Sequence, residues 1–333
     1  MGRDDFGILF TCIGRRVSLL ESFRRAARQL RLKARFLGTD TSELSAAVQL
    51  CDKGILVRPT TDPSYIRQIL SIVRSEGVRL LVPTVDLDLK VLAENKRRFA
   101  AAGCSVLVSG RDVIGTCQDK RRSYRFLRAN GFDTPVTMSI KSALASRRLK
   151  WPVFLKPWDG YASRGRAVAR NREELLFYAK RVPNPICQEY VEGTEHTCDV
   201  YVDFGMRVRC VVPRKRVEVR AGEVSKGQVV KDLRIMTEAA KVVEALGAGP
   251  GVITIQLFVT PDDTLKFIEI NPRFGGGVPL SIKAGANFPK WILQEVISEE
   301  PRIRFDGFRD GLIMLRYDSE VWYEKSRTSA VST

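Results

Sequence analysis

Histidine is almost missing from this chain of 333 residues: His196 stands alone. Zinc sites built on paired histidines are thereby excluded, and a histidine-based triad would have to use this one residue. Cysteine is present but unorganised. Seven are scattered through the chain (Cys12, Cys51, Cys104, Cys117, Cys187, Cys198 and Cys210), an odd number with no C-x-x-C. They read as buried thiols of a reducing compartment and not as a disulfide framework. No run of about 18 uninterrupted apolar residues occurs, which excludes a membrane-spanning helix, and Met1 to Asp5 show no signal-peptide pattern. These absences predict a soluble, cytoplasmic protein with no membrane partner.

Acidic residues are also scarce beside basic ones. Lys plus Arg total 55 against 38 Asp plus Glu, a formal charge of +17. The excess is concentrated: residues 101–150 carry ten basic and three acidic side chains, whereas residues 251–300 carry four and six. Such a balance suits nucleic acid, an anionic surface or a polyanionic small ligand such as a nucleotide. A solvated, soluble face explains most of these residues as well. No aromatic residues interleave Lys120-Arg121-Arg122 and no nucleic-acid motif is present, so nucleic acid is the minor reading.

The first hundred residues alternate short apolar runs with helical spacing. Strands are expected at 6–12, 34–38, 55–57, 80–82 and 106–108, with helices at 16–30, 63–76 and 86–102, the pattern of a parallel sheet with right-handed crossovers. Asp40 ends the second strand, as in dinucleotide-binding folds. The first strand–helix turn, Cys12-Ile13-Gly14-Arg15-Arg16, has one glycine where G-x-G-x-x-G needs three. A Rossmann-like unit is expected without that cofactor signature. Beyond residue 110 the pattern becomes α+β: a helix at 111–130, strands at 151–156 and 166–169 around a glycine-containing loop, a helix at 172–181 and a strand at 186–191. Hairpins follow at 197–204 with 206–213 and at 251–259 with 264–270, separated by a helix at 231–246.

Chemistry is expected at two places. The loop 157–165 follows Lys156 directly, and its small residues let backbone amides approach phosphate oxygens while the lysine supplies a point charge. It lacks G-K-[ST] and is no Walker loop; a plain hairpin with a flexible tip explains it about as well. The second hairpin is more informative. Glu269 and Asn271 leave one face of their strand, and with an even loop Gln256 joins them, across from about Phe267. Three side-chain oxygen donors in one patch suit a hard divalent cation. Pro272-Arg273-Phe274 and three glycines then leave the strand end together, an anion-binding loop beside a metal patch.

The segment Phe267-Ile268-Glu269-Ile270-Asn271-Pro272-Arg273-Phe274-Gly275-Gly276-Gly277 resembles the signature of the ATP-grasp superfamily, in its carbamoyl-phosphate-synthase-like branch, and the resemblance extends over roughly residues 6–318. It implies an α/β N-terminal (pre-ATP-grasp, Rossmann-like) domain at 1–111 and a two-subdomain α+β ATP-grasp fold at 112–191 and 192–325, with a disordered tail at 326–333. It implies ATP as cosubstrate, with Mg2+ or Mn2+. Residue by residue, Lys120 and Lys156 match the phosphate-binding basic positions, and Gly160, Ser163 and Gly165 the mobile glycine-rich loop. Glu189, Tyr190 and Val191 match the hinge whose main chain pairs with adenine, and Glu195 the acid on the ribose hydroxyls. Gln256, Glu269 and Asn271 match the metal ligands, and Arg273 the catalytic arginine, with Lys156 beside the same phosphates. Arg214 and Arg216, alternating on a strand, are candidates for binding a substrate carboxylate, or form a solvated basic edge. His196 is expected on the strand after Glu195 without a chemical role.

The family's synthase large chain has two such units and this chain has one, which argues against carbamoyl phosphate formation. The expected activity is ATP-dependent ligation of a small carboxylate to an amine or related nucleophile, through an acyl phosphate, as a monomer or homo-oligomer. Two rivals stay open: a dinucleotide-dependent oxidoreductase, weakened by the missing glycines, and a non-catalytic nucleic-acid-binding protein exploiting the +17 charge.

Overall fold

In the computed structural model, which describes residues 6–160, 165–220 and 222–324, alternating apolar runs build a parallel sheet first. The elements are β1 (Phe6–Thr11), α1 (Val17–Gln29), β2 (Ala34–Asp40), α2 (Ala46–Gln49), β3 (Lys53–Leu56), α3 (Tyr65–Ser75), β4 (Val78–Pro83), α4 (Leu89–Glu94), α5 (Lys96–Ala101) and β5 (Ser105–Val106). The strands pair in parallel in the order β3-β2-β1-β4-β5. β1 is buried at all six positions, as a central strand covered on both faces must be. The expected helix at 86–102 is two helices, divided at Asn95.

The second stretch holds α6 (Arg111–Cys117), α7 (Lys120–Ala129), β6 (Thr137–Ser139), α8 (Ile140–Ala145), β7 (Val153–Pro157), β8 (Ala167–Ala169), α9 (Arg172–Ala179) and β9 (Pro185–Glu189). Their four strands form a sheet in the order β6-β9-β7-β8. The helix expected at 111–130 is broken, and the break has a physical cause. Asp119 takes an extended conformation and its carboxylate accepts from the Arg121 amide, capping a new helix. That cap puts Lys120 in the first turn of α7, where its side chain reaches the loop after β7.

The third stretch contains β10 (Thr194–Val202), β11 (Val208–Arg220), β12 (Glu223–Val229), α10 (Leu233–Leu246), β13 (Gly251–Val259), β14 (Leu265–Asn271), α11 (Val278–Ala284), α12 (Phe288–Val296) and β15 (Ile313–Leu315). Six antiparallel strands run in the order β14-β13-β10-β11-β12-β15. Where the sequence suggests a hairpin arm ending at 213, β11 continues to Arg220 and turns back into β12. A bulge corrects the second hairpin: Gln256 pairs with Glu269 and Leu257 with Phe267, so Ile268 is the extra residue and Gln256 lies across from Glu269, not Phe267.

One apolar core joins the first and third stretches. Phe10 of β1 meets Phe23 of α1 edge-on at 5.2 Å between ring centres, and Phe23 meets Phe274 at 5.9 Å. Phe274 is thus the apolar anchor that brings the loop after β14 against the parallel sheet. Among the described residues no helix is long and apolar enough to cross a membrane.

Candidate active site

The floor of the cleft is polar yet sealed. Asp199 on β10 is fully buried and accepts two bonds from Arg214 on β11, Nε at 2.8 Å and Nη2 at 3.0 Å. The Ser281 hydroxyl of α11 donates to it at 2.6 Å. The turn Gly275–Gly277 lies directly on this network. A β-carbon on Gly275 would come within 2.8 Å of the Thr254 hydroxyl, and one on Gly277 would collide with the Arg214 guanidinium. The glycines are therefore required by close approach of the backbone to buried side chains. Arg214, a candidate for binding substrate, is 1% exposed and bidentate on Asp199. It supports the turn and is not presented to a ligand, because a strand residue facing a packed helix has no route to solvent. Asp199 is a partner that sequence reasoning missed.

Above this floor stand the expected metal donors. Gln256 and Glu269 face each other across the β13–β14 ladder, with Asn271 two residues further on the Glu269 face. Gln256 donates its amide to Glu269 Oε2 at 3.2 Å and accepts from Arg216 Nη1 at 3.2 Å. Two lysines converge on the same carboxylate. Lys120 Nζ lies 3.6 Å from Glu269 Oε1 and donates to the Gly160 carbonyl at 2.6 Å. Lys156, at the end of β7, is pushed down to about 8 by burial, with Glu269 pulling it up and Lys120 pushing it further down.

The residues expected on the nucleotide side lie on β9, on β10 and on the segment that joins them. Glu189 ends β9: its amide donates to the Val136 carbonyl, while its carboxylate accepts from the Val136 amide and pairs with Lys266 at 3.2 Å. That carboxylate is committed to these partners, and Tyr190 and Val191 follow it ahead of β10. Glu195 accepts from Arg216 Nη1 at 2.8 Å, and burial raises its carboxyl above the ordinary value despite that arginine. Arg216 therefore belongs with Glu195 and Gln256; its Nε is buried without a partner among the described residues. Gly165 takes a left-handed φ of +66°. Ser163, with the rest of 161–164, and the tail at 326–333 lie outside the described residues. His196 is buried beside the Thr194 carbonyl, and burial lowers its pKa.

At the other end, the parallel sheet contributes side chains that sequence reasoning did not single out. Arg273 donates through Nε (3.2 Å) and Nη2 (2.6 Å) to Asp86, on the loop after β4, and Nη2 also reaches Asn271 Oδ1 at 3.3 Å. Glu223, at the start of β12, meets Arg15 at 3.3 Å, Arg16 at 3.4 Å and Arg316 at 3.0 Å. Arg316 also donates to the Gly276 carbonyl. The available signal was the loop positions after β1 and β4, the strand ends where open α/β sheets bind ligands. Asp40 accepts from the Gly14 and Thr41 amides and holds the turn after β1.

Comparison with known proteins gives two family matches. Residues 8–107 match the family described as PylC-like, N-terminal domain, and residues 117–277 match the ATP-grasp domain. The arginine-specific carbamoyl phosphate synthase large chain of Halalkalibacterium halodurans is 26% identical over 244 residues, 67% of this chain and 22% of that one. The chain thus spans about a fifth of that relative's length. Among solved structures, the biotin carboxylase domain of Hydrogenobacter thermophilus 2-oxoglutarate carboxylase, in complex with MgADP, ADP and bicarbonate, superposes with a TM-score of 0.72. It is 18% identical, over 92% of this chain and 73% of that one. The L-amino acid ligase of Bacillus licheniformis gives 0.69 at 18% identity, over 93% and 78%. Residues 117–277 of this chain are an ATP-grasp domain, and it stands behind a PylC-like N-terminal domain at residues 8–107.

Proposed function

We propose that the protein is an ATP-dependent ligase that joins a small carboxylate to an amine or related nucleophile, with C–N bond formation through an acyl phosphate. The observation carrying this reading is the convergence of Lys120, Lys156, Gln256, Glu269, Asn271 and Arg273 in one cluster. Lys120 stands 3.6 Å from Glu269, and Asp86 orients Arg273 beside Asn271. A carboxylate is unreactive toward amines because oxide is a poor leaving group. One of its oxygens attacks the γ-phosphorus of ATP, the bond to the β,γ-bridging oxygen breaks, and ADP leaves. The amine then attacks the acyl carbon, the C–O bond to phosphate breaks, and phosphate leaves as the nitrogen loses its proton. Positioning and charge neutralisation dominate such transfers. Lys120 and Lys156 hold phosphate oxygens, and Arg273 stabilises charge developing between phosphoryl and carboxylate oxygens. Main chain at Glu189–Val191 receives the base and Glu195 the ribose, with Gly160 and Gly165 beside the phosphates.

A divalent cation fits this donor set. Glu269 already faces a cation, the Lys120 ammonium, and among the described residues no cluster of three or more His, Cys, Asp or Glu offers a self-sufficient cage. One carboxylate and two amides suit Mg2+ or Mn2+, which would supply positive charge to offset that of the phosphates. Gln256, Glu269 and Asn271 would hold it, the Gln256 amide turning its oxygen toward Glu269's side. The test is ADP release over a matrix of small carboxylates with amines, and with hydroxylamine as trap. Hydroxamate matching ADP is the expected result; stoichiometric AMP and pyrophosphate would overturn the mechanism. Cytoplasmic location and homo-oligomerisation accord with such chemistry.

A further inference from the structure

The turn after β1 is built to aim two arginines. Cys12 and Gly14 both adopt left-handed conformations, at φ +50° and +49°. Asp40 grips the Gly14 amide at 2.9 Å, while the Gly14 carbonyl accepts from the Ala47 amide and the Ser45 hydroxyl. A non-glycine residue held at positive φ is strained, and such strain persists where the surroundings enforce it. The result directs Arg15 and Arg16 out of the carboxyl end of β1. In the order β3-β2-β1-β4-β5 the chain departs to β2 on one side of β1 and to β4 on the other, so the crevice between β1 and β4 is the topological switch point. Arg15 and Arg16 rise from one side of it and Asp86 from the other.

Charge at this crevice does not balance. Among the described residues, Arg15, Arg16 and Arg316 share a single carboxylate, Glu223, whose two oxygens are both engaged. Asp86 is committed to Arg273 and Asp40 to backbone amides. The side chain of Arg16 is only 18% exposed. Burial lowers its pKa, and Arg273, Arg316 and Arg15 lower it further against the pull of Glu223. A desolvated guanidinium with more cations than anions around it is unfavourable unless an anion completes the set. The cluster is also adjacent to the chemistry. A β-carbon on Gly276, three residues after Arg273, would lie 2.9 Å from both Arg16 Nη1 and the Glu223 carboxyl carbon. Arg15, 69% exposed, keeps the site open to solvent.

We infer that Arg15, Arg16 and Arg316 bind a second anionic group of the acid substrate, which is a dicarboxylate, a tricarboxylate or a phosphorylated carboxylic acid. The inference rests on the ligase reading, deepening it to a substrate class. One acidic group of the substrate is activated beside Arg273, and the other is held at the mouth of the switch-point crevice.

The experiment measures binding to the full chain with ADP and Mg2+ present, by calorimetry. The probes are propionate, succinate, tricarballylate and 3-phosphonopropionate. Wild type should bind the polyanionic probes at least tenfold more tightly than propionate, and the order of succinate and phosphonopropionate separates a carboxylate from a phosphoryl second group. Arg16→Gln should lose that preference at least tenfold while ADP affinity is unchanged. Arg15→Gln, at an exposed position, should shift it in the same direction and covers the case in which Arg16→Gln fails to fold. Equal affinity for propionate and the polyanions in wild type, or a preference that survives both substitutions, would overturn the inference and leave the ligase reading intact. Failure of wild type to bind ADP would instead remove the ligase reading and the inference with it.

Discussion

The floor of the cleft and its walls are both rich in arginine and lysine, but they balance charge differently. In the floor, Arg214 and Asp199 pair one to one, fully buried, with the Ser281 hydroxyl on a remaining lone pair. On the walls, Lys120 and Lys156 share the influence of Glu269, and three arginines share Glu223. Buried polar groups that are fully matched hold a structure in one arrangement. Those with cations in excess are matched only when an anionic ligand arrives. Arg214 and Arg216 make the contrast on a single strand face two residues apart. The first is sealed against Asp199, and the second stands among Glu195, Gln256 and an unpartnered Nε of its own.

The sharpest way to break the contrast is to change the wall. Glu269→Gln removes the one carboxylate facing both lysines and a proposed metal. ADP release should fall by about a thousandfold, in line with the loss of a preorganised transition-state contact. The apo protein's melting temperature should hardly change, because two cations lose a shared partner at a cleft surface and no core is disturbed. Metal-stimulated turnover close to wild type would remove the metal assignment. A nucleic-acid-binding function would leave salt-dependent nucleic acid affinity untouched by this substitution.

The floor should respond in stability. Arg214→Leu leaves Asp199 buried without its cation and should cost about 3–5 kcal/mol of unfolding free energy. Denaturant titration measures it. Replacing both partners, Arg214→Leu with Asp199→Leu, should recover much of the loss, since no charge is then stranded. If the single substitution is near neutral in stability yet abolishes acid binding, Arg214 belongs to the wall and the contrast fails.

This division explains what the sequence could and could not reveal. The parallel sheet was legible because alternation of apolar runs and helical spacing is local, and the shared face of Glu269 and Asn271 because strand parity is local too; Gln256 was expected to join them through an even loop, whereas residues 260–264 make an odd one and only a bulge brings it there. The register was not. Bulging at Ile268 moves Gln256 opposite Glu269, and nothing in the residues from 251 to 271 announces a bulge. Arg214 and Arg216 looked equivalent because their difference comes from α11 and Ser281, more than 60 residues further on in the chain. Asp86 was invisible for the same reason, and Glu223, at the end of a segment (213–223) expected near substrate, could not be matched to a role, as the partners of both are brought to them by the core joining Phe23 to Phe274. The helix break at Asp119 was readable in principle, since Asp before Lys120-Arg121 is a cap signal.

A smaller effect is expected at Asp86, which touches Arg273 but no reacting atom. Asp86→Asn keeps a hydrogen-bond acceptor at the same place and removes the charge that orients the guanidinium. We expect kcat to fall by about 10- to 100-fold, with the KM for ATP unchanged. A merely structural role would lower melting temperature and raise KM without that split. Steady-state kinetics over ATP concentration separates the two.

The smallest effect is a pH dependence confined to the phosphate wall. Burial of Lys156 brings its pKa from 10.5 to about 8, with Lys120 contributing in the same direction and Glu269 opposing. Phosphate binding needs the ammonium, so the free protein must take up a proton on this lysine to bind ADP once the pH exceeds about 8. Affinity for ADP with Mg2+ should then fall by up to about tenfold per pH unit above that point, while remaining flat below it. Stability has the opposite sign. Between about 8 and 10.5 the unfolded chain keeps a proton that the folded one has released, so this lysine's contribution to unfolding free energy rises with pH across that window. Lys156→Gln should weaken ADP at neutral pH and flatten both profiles, whereas a lysine of the exposed surface substituted in the same way should alter neither. Calorimetry with ADP and denaturant titrations from about pH 7 to about pH 10 give the two curves. An ADP affinity that stays level across this range would place Lys156 with the matched groups of the floor, despite its place at the end of β7.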